Sequence, residues 1–153
     1  MGRMYAIVFE EVAVTVVQDL FEIVAAADSA VILHSVVITQ SSDAGDAQDE
    51  QLSVLFHRGS TSGSGGSAVT PSPLSLGDAA FGGTAEANNT TQGTEGTFLH
   101  AEAFNTRAGL QYRPTPEERI TISPSARLII ELQTAPADSL TMSGTAIVEE
   151  IGG

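Results

Sequence analysis

"SAVILHSVVITQ", Ser29 to Gln40, is the longest apolar run of the chain, and its reading decides the fold. Val31, Ile32, Val36, Val37, Ile38 and Thr39 are β-branched. Such side chains lose freedom in a helix and pack well on a pleated surface. The stretch therefore predicts a long, largely buried strand.

The same signals continue outward from it. Upstream lie "MYAIVF" (4–9), "VAVTVV" (12–17) and "LFEIVAA" (20–26), read as three short strands. Downstream, after a polar break at "SSDAGDAQDE" (41–50), "QLSVLFHR" (51–58) sets Leu52, Val54 and Phe56 on one face. "TFLHAEAF" (97–104), "LQYR" (110–113), "ITIS" (120–123), "ARLIIELQT" (126–134) and "LTMSGTAIVEE" (140–150) complete the series. Leu128, Ile130 and Leu132 share a face, as do Leu140, Met142, Gly144, Ala146 and Val148. "TPEER" (115–119) reads as a turn or one helical turn opened by Pro116. Nine or ten strands, no helix and frequent turn signals predict an antiparallel β-sandwich of jelly-roll type. It is read as one domain over residues 1–153, with long loops at 59–72 and 82–96.

The first of those loops, within "HRGSTSGSGGSAVTPSP" (57–73), poses a question, because a compact domain has little use for so much glycine and serine at its centre. A phosphate loop is excluded, since the chain has no lysine and no helix follows. A loop ordered by a neighbouring molecule is the reading adopted, against one packed on its own domain.

Composition excludes further classes. The 153 residues carry a net charge of −13, with 19 acids against 6 arginines. Such a chain repels nucleic-acid phosphate and anionic membrane surfaces. No apolar run approaches the ~20 residues of a membrane helix. The N-terminus does not follow a signal-peptide plan, because Glu10 and Glu11 cut its apolar run short. With no cysteine there is no disulfide framework and no thiolate metal site.

Candidate chemistry is sparse. His34, His57 and His100 stand in separate strands and could converge on a metal, as in a cupin-like metalloenzyme, but the paired histidines of that motif are missing. Asp43, Asp46, Asp49 and Glu50 could form an oxygen-rich calcium loop, but lack the EF-hand spacing. Glu10–Glu11, Glu117–Glu118 and Glu149–Glu150 are adjacent pairs common on exposed turns. The sequence calls for no enzyme activity, no metal and no cofactor.

"GDAAFGGTAEANNTT" (77–91), "TPEERITISPSARLIIEL" (115–132), "APADSLTMSGTAIVEEIGG" (135–153) and "SSDAGDAQDEQLSVLFHRGSTSGSGG" (41–66) resemble segments of small all-β head proteins of tailed bacteriophages. The resemblance implies a virion structural protein, namely a capsid decoration or cement protein on the shell surface. It further implies a homotrimer, a major capsid protein as partner, and no catalysis. Candidate interface residues are Met4 and Tyr5 on the N-terminal strand, Ser62 and Gly63 in the glycine-rich loop, and Arg58, Arg107 and Arg113. The alternative is a carbohydrate- or receptor-binding sandwich of a fibre or tail. Against it stand the absence of tryptophan and a total of two tyrosines.

Overall fold

A computed structural model describes residues 2–42 and 50–152. The strands are β1 (Arg3–Val14), β2 (Gln18–Val24), β3 (Ser29–Gln40), β4 (Gln51–Arg58), β5 (Ser67–Val69), β6 (Ser72–Pro73), β7 (Thr84–Asn89), β8 (Phe98–Asn105), β9 (Leu110–Tyr112), β10 (Thr121–Ile122), β11 (Arg127–Leu132) and β12 (Leu140–Gly152). One 3-10 turn, Pro116–Glu118, is the helical element among the described residues.

The strands form two antiparallel sheets. Sheet A runs β10-β3-β12-β1-β6, with β9 also beside β3, and sheet B runs β5-β7-β2-β11-β4-β8. Without β5 to β7, the pairings nest. β1 pairs β12, β2 pairs β11, β3 pairs β9 and β10, and β4 pairs β8. That is one long hairpin, rolled so that β3 meets β12 and β4 meets β11. Such rolling makes a jelly roll, as the sequence predicts.

The two inner faces pack into one core. Ile7, Phe21, Leu33, Ile38, Leu52, Phe56, Leu128 and Met142 are among its buried side chains. Phe9 of sheet A meets Phe21 of sheet B at a ring-centroid distance of 5.1 Å. Phe56 meets Tyr112 at 4.7 Å. The alternations predicted for 51–58 and 140–148 set the same residues inward.

Four expectations are corrected. The segments 4–9 and 12–17 are not two strands. Residues 4–9 and 12–14 belong to one strand, β1, broken by a bulge at Glu10–Glu11 where Glu11 adopts φ 51°, and 15–17 lie beyond its end. The segment 82–96 is not all loop, because Thr84–Asn89 pairs with β2 as β7. The segment 59–72 holds β5 and the start of β6. Tyr5, a candidate contact residue, is fully buried. Its hydroxyl lies 3.0 Å from the Ala79 carbonyl and 3.4 Å from Glu150 Oε2.

Candidate functional site

The segment between β4 and β8 answers the question posed by its glycines and corrects the reading adopted from the sequence, because it packs on its own domain rather than being held by a neighbouring molecule. Part of it extends the sheets: β6 adds to β1, and β7 with β5 adds to β2. The remainder folds over the outer face of sheet B as a narrow clasp. Ser64 and Thr91 exchange backbone hydrogen bonds at 2.9 and 3.0 Å. Thr61 and Thr94 join their hydroxyls at 2.7 Å.

Beneath the clasp, sheet B carries acids where an open sandwich face would be solvated. Asp19, Glu22, His57, Asn89 and Glu131 are all buried. Glu22 is fully engaged. Ser62 Oγ donates to its Oε1 at 2.7 Å, and the Gly63 amide donates to Oε2 at 2.9 Å. Arg127 Nε donates to Oε1 at 2.6 Å, and Asn89 Nδ2 to Oε2 at 3.3 Å. Gly93 N donates to Asp19 Oδ2 at 2.7 Å. His57 Nε2 and Glu131 Oε2 are 3.0 Å apart. Small residues let the clasp lie this close. A Cβ on Gly63 would come within 2.7 Å of Asp19 Oδ2.

This environment shifts the acids. Burial pushes the Asp19 carboxyl up to about 6, the Gly93 amide works against it, and the charges of Glu131 and Glu22 add to the rise. Burial also raises Glu131, with the Glu95 charge adding and His57 opposing.

A second polar knot holds the N-terminus against the end of β12. Glu149 accepts from Gly2 N at 2.9 Å and pairs with His34 Nε2 at 2.8 Å. Its carboxyl is held below its ordinary value, chiefly by the His34 hydrogen bond. Glu150 takes Arg3 at 3.1 Å, Gly82 N at 2.9 Å and Ser29 Oγ at 3.2 Å.

The three histidines are thus divided among three glutamates, the third pair being His100 with Glu102 at 3.0 Å. They do not converge, and among the described residues no group of three His, Asp or Glu side chains is placed to hold a metal. Asp43, Asp46 and Asp49 of the acidic stretch lie outside the described residues.

Among the grooves on the surface of the described residues, two bear on the candidate contacts. One, of about 470 Å³, is lined by Gly2, Arg3, Met4, Leu74, Ser75 and Asp78. Leu74 stands 59% exposed on its rim, and Leu76 beyond it is fully exposed. The other, of about 430 Å³, lies between β8 and the segment after β9, with His100, Glu102, Tyr112 and Arg113 in its lining.

Of the candidate contact residues, Met4 and Arg113 therefore line grooves. Ser62 is exposed, but its hydroxyl is tied to Glu22, and Gly63 is part of the clasp. Arg58 is exposed and reaches the Thr121 carbonyl at 3.3 Å. Arg107 is exposed on the turn after β8. The buried acids under the clasp escaped sequence reasoning. Their one signal is a charged residue inside each of two apolar strands, Glu22 in "LFEIV" and Glu131 in "LIIEL".

Comparison with known proteins found no matching family model and no matching curated protein. Among solved structures, a chain from the single-particle structure of maize chlorotic mottle virus is similar at 13% identity and a TM-score of 0.25. The alignment covers 97% of this chain and 95% of that one. The jelly-roll assignment rests on the strand order given above.

Proposed function

We propose that the chain is a virion structural protein, a decoration or cement protein that binds the major capsid protein of an assembled phage head and has no catalytic role. Three copies acting together on the shell surface is the proposed state. The observation that carries this reading is the apolar rim at Leu74 and Leu76, beside the Met4 groove and the end of β6. Two leucines held out to water on a chain of net charge −13 fit a contact surface better than a solvated loop. The sequence resemblance and the jelly-roll strand order point the same way.

The sugar-binding alternative is less well supported. Of the Phe and Tyr rings, Phe98 alone is exposed, so no aromatic platform is on offer.

The test is quantitative mass spectrometry of density-purified particles from the virus or prophage that encodes the chain. The expected result is co-banding with heads at a fixed ratio to the major capsid protein. The double variant L74S/L76S is expected to fold normally and to lose at least tenfold in head binding. Absence of the wild-type chain from purified heads overturns the reading. The isolated protein is expected to scatter light with a mass near three times 15.8 kDa.

A further inference from the structure

β8 ends sheet B, with β4 on one side and no strand on the other among the described residues. The backbone phase of that edge is fixed. Thr106 N donates to Glu50 O at 3.0 Å, in the register that sets Gln51 opposite Asn105. Hydrogen-bonded and free pairs alternate along an antiparallel ladder. Phe104, Glu102 and His100 therefore turn their backbone groups toward β4, while Ala103 and Ala101 turn theirs outward. Ser53, opposite Ala103, agrees with this phase, because it bonds Thr134 and Gln133 on its other side.

Both ends of the edge are closed. The Asn105 carbonyl already accepts from Ala108 N and Gly109 N. At the other end the register shifts between Phe56 and His57, leaving Leu99 in a bulge. The open edge is thus centred on Ala101 and Ala103, and both are exposed.

The sequence here is near-palindromic about Ala101. In "FLHAEAF" (98–104), Phe98 mirrors Phe104, Leu99 mirrors Ala103, and His100 mirrors Glu102. A twofold antiparallel contact joins residues placed symmetrically about its centre. Centred on Ala101, it sets His100 of each copy opposite Glu102 of the other. These are the non-hydrogen-bonded positions, where side chains lie closest and an imidazole can hydrogen-bond a carboxylate across the seam. Centred on Glu102, it would oppose two carboxylates. Centred on Ala103, it would set Glu102 opposite Phe104 and His100 opposite Thr106, with no complementary pair, whereas centred on Ala101 only Ala103 falls opposite the Leu99 bulge, and the contact rests on the Ala101–Ala101 pair with the two His100–Glu102 pairs that flank it.

We propose that β8 pairs edge to edge with β8 of a second copy of this chain, in the register that places Ala101 against Ala101. The contact is a strand addition that lengthens sheet B across the twofold axis. It goes beyond the decoration role and does not depend on it. In a threefold assembly it links one trimer to the next.

The test uses the absence of cysteine from the chain. Directly opposed Ala101 residues put their Cα atoms about 5.5 Å apart, within the usual disulfide range. Mild oxidation of A101C at micromolar concentration is expected to give a covalent dimer on a non-reducing gel. A103C, whose twin lies about 13 Å along the ladder, and S139C, in the exposed turn before β12, are expected not to. Adding H100E to A101C opposes Glu to Glu and is expected to slow cross-linking at least tenfold. Adding both H100E and E102K is expected to restore it. No dimer from A101C above the S139C background overturns the proposal. So does faster cross-linking of E102C or A103C than of A101C, or a charge swap that fails to rescue.

Discussion

The Gly63 amide donates to Glu22 Oε2 at 2.9 Å, fastening the centre of the glycine-rich stretch to the middle of sheet B. Glycine and serine are used here for closeness rather than for flexibility. A clasp of small residues lets backbone and hydroxyl donors reach buried carboxylates that bulkier side chains would screen off.

Removing that carboxylate is expected to release the clasp. Glu22→Ala leaves Ser62, Gly63 and Arg127 without their acceptor. Hydrogen bonds to a charged group are worth more than neutral ones, and Arg127 can turn to solvent. The expected loss is about 2–3 kcal/mol in urea unfolding. Amide exchange at residues 60–66 should accelerate more than in β3 or β12. Unchanged exchange at those amides would show that the clasp holds without Glu22.

The parts of the fold legible in the sequence are those where burial selects branched apolar residues. Ser29–Gln40 and Gln51–Arg58 have the bounds their composition predicts, because the first faces inward with Val31, Leu33, Val36 and Ile38 and the second with Leu52, Val54 and Phe56. β7 was illegible for a physical reason. Its inward residues are Ala85 and Ala87, and Asn88 and Asn89 are buried by hydrogen bonding rather than by apolar contact. Tyr5 is not legible as a core residue, because it stands in a strand near the terminus, where order is weak by default. The knot at Glu149 and Glu150, distant in sequence, holds it. The open edge of β8 was likewise hidden, since its alternation reads like that of any half-buried strand.

Stability should fall as pH rises through the weakly acidic range. The Asp19 carboxyl titrates from 3.8 in the open chain to about 6 in the fold. Between those values the folded state holds a proton that the unfolded state has lost, so the slope of stability against pH is negative. The span corresponds to about 3 kcal/mol at most. Glu149 acts oppositely, because its lowered pKa gives stability that is lost as pH falls below the ordinary carboxylate range. The two together place the optimum in mild acid. Asp19→Asn keeps an acceptor for Gly93 and removes the titration. It is expected to flatten unfolding free energy between pH 4 and 6 and to raise stability at pH 7. An unchanged slope would assign the effect to another acid, with Glu131 the next to substitute.

The pairing of Phe9 with Gly144 sets a limit on core volume. Phe9 lies across the β12 backbone at Gly144 and reaches Phe21 in the opposite sheet. A Cβ on Gly144 would stand 2.7 Å from Phe9 Cζ and 3.0 Å from Phe21 Cζ, so both rings would have to shift. Overpacking of this kind costs about 1–3 kcal/mol. Gly144→Ala is therefore expected to lower Tm by roughly 3–10 °C in a domain of this size. Phe9→Leu alone leaves a void, but in the double variant the new methyl occupies part of it. The two substitutions should cost less together than their sum, with a coupling of about 1 kcal/mol between residues in contact. Strict additivity in a double-mutant cycle would show that the glycine is required by the backbone of β12 rather than by the ring of Phe9.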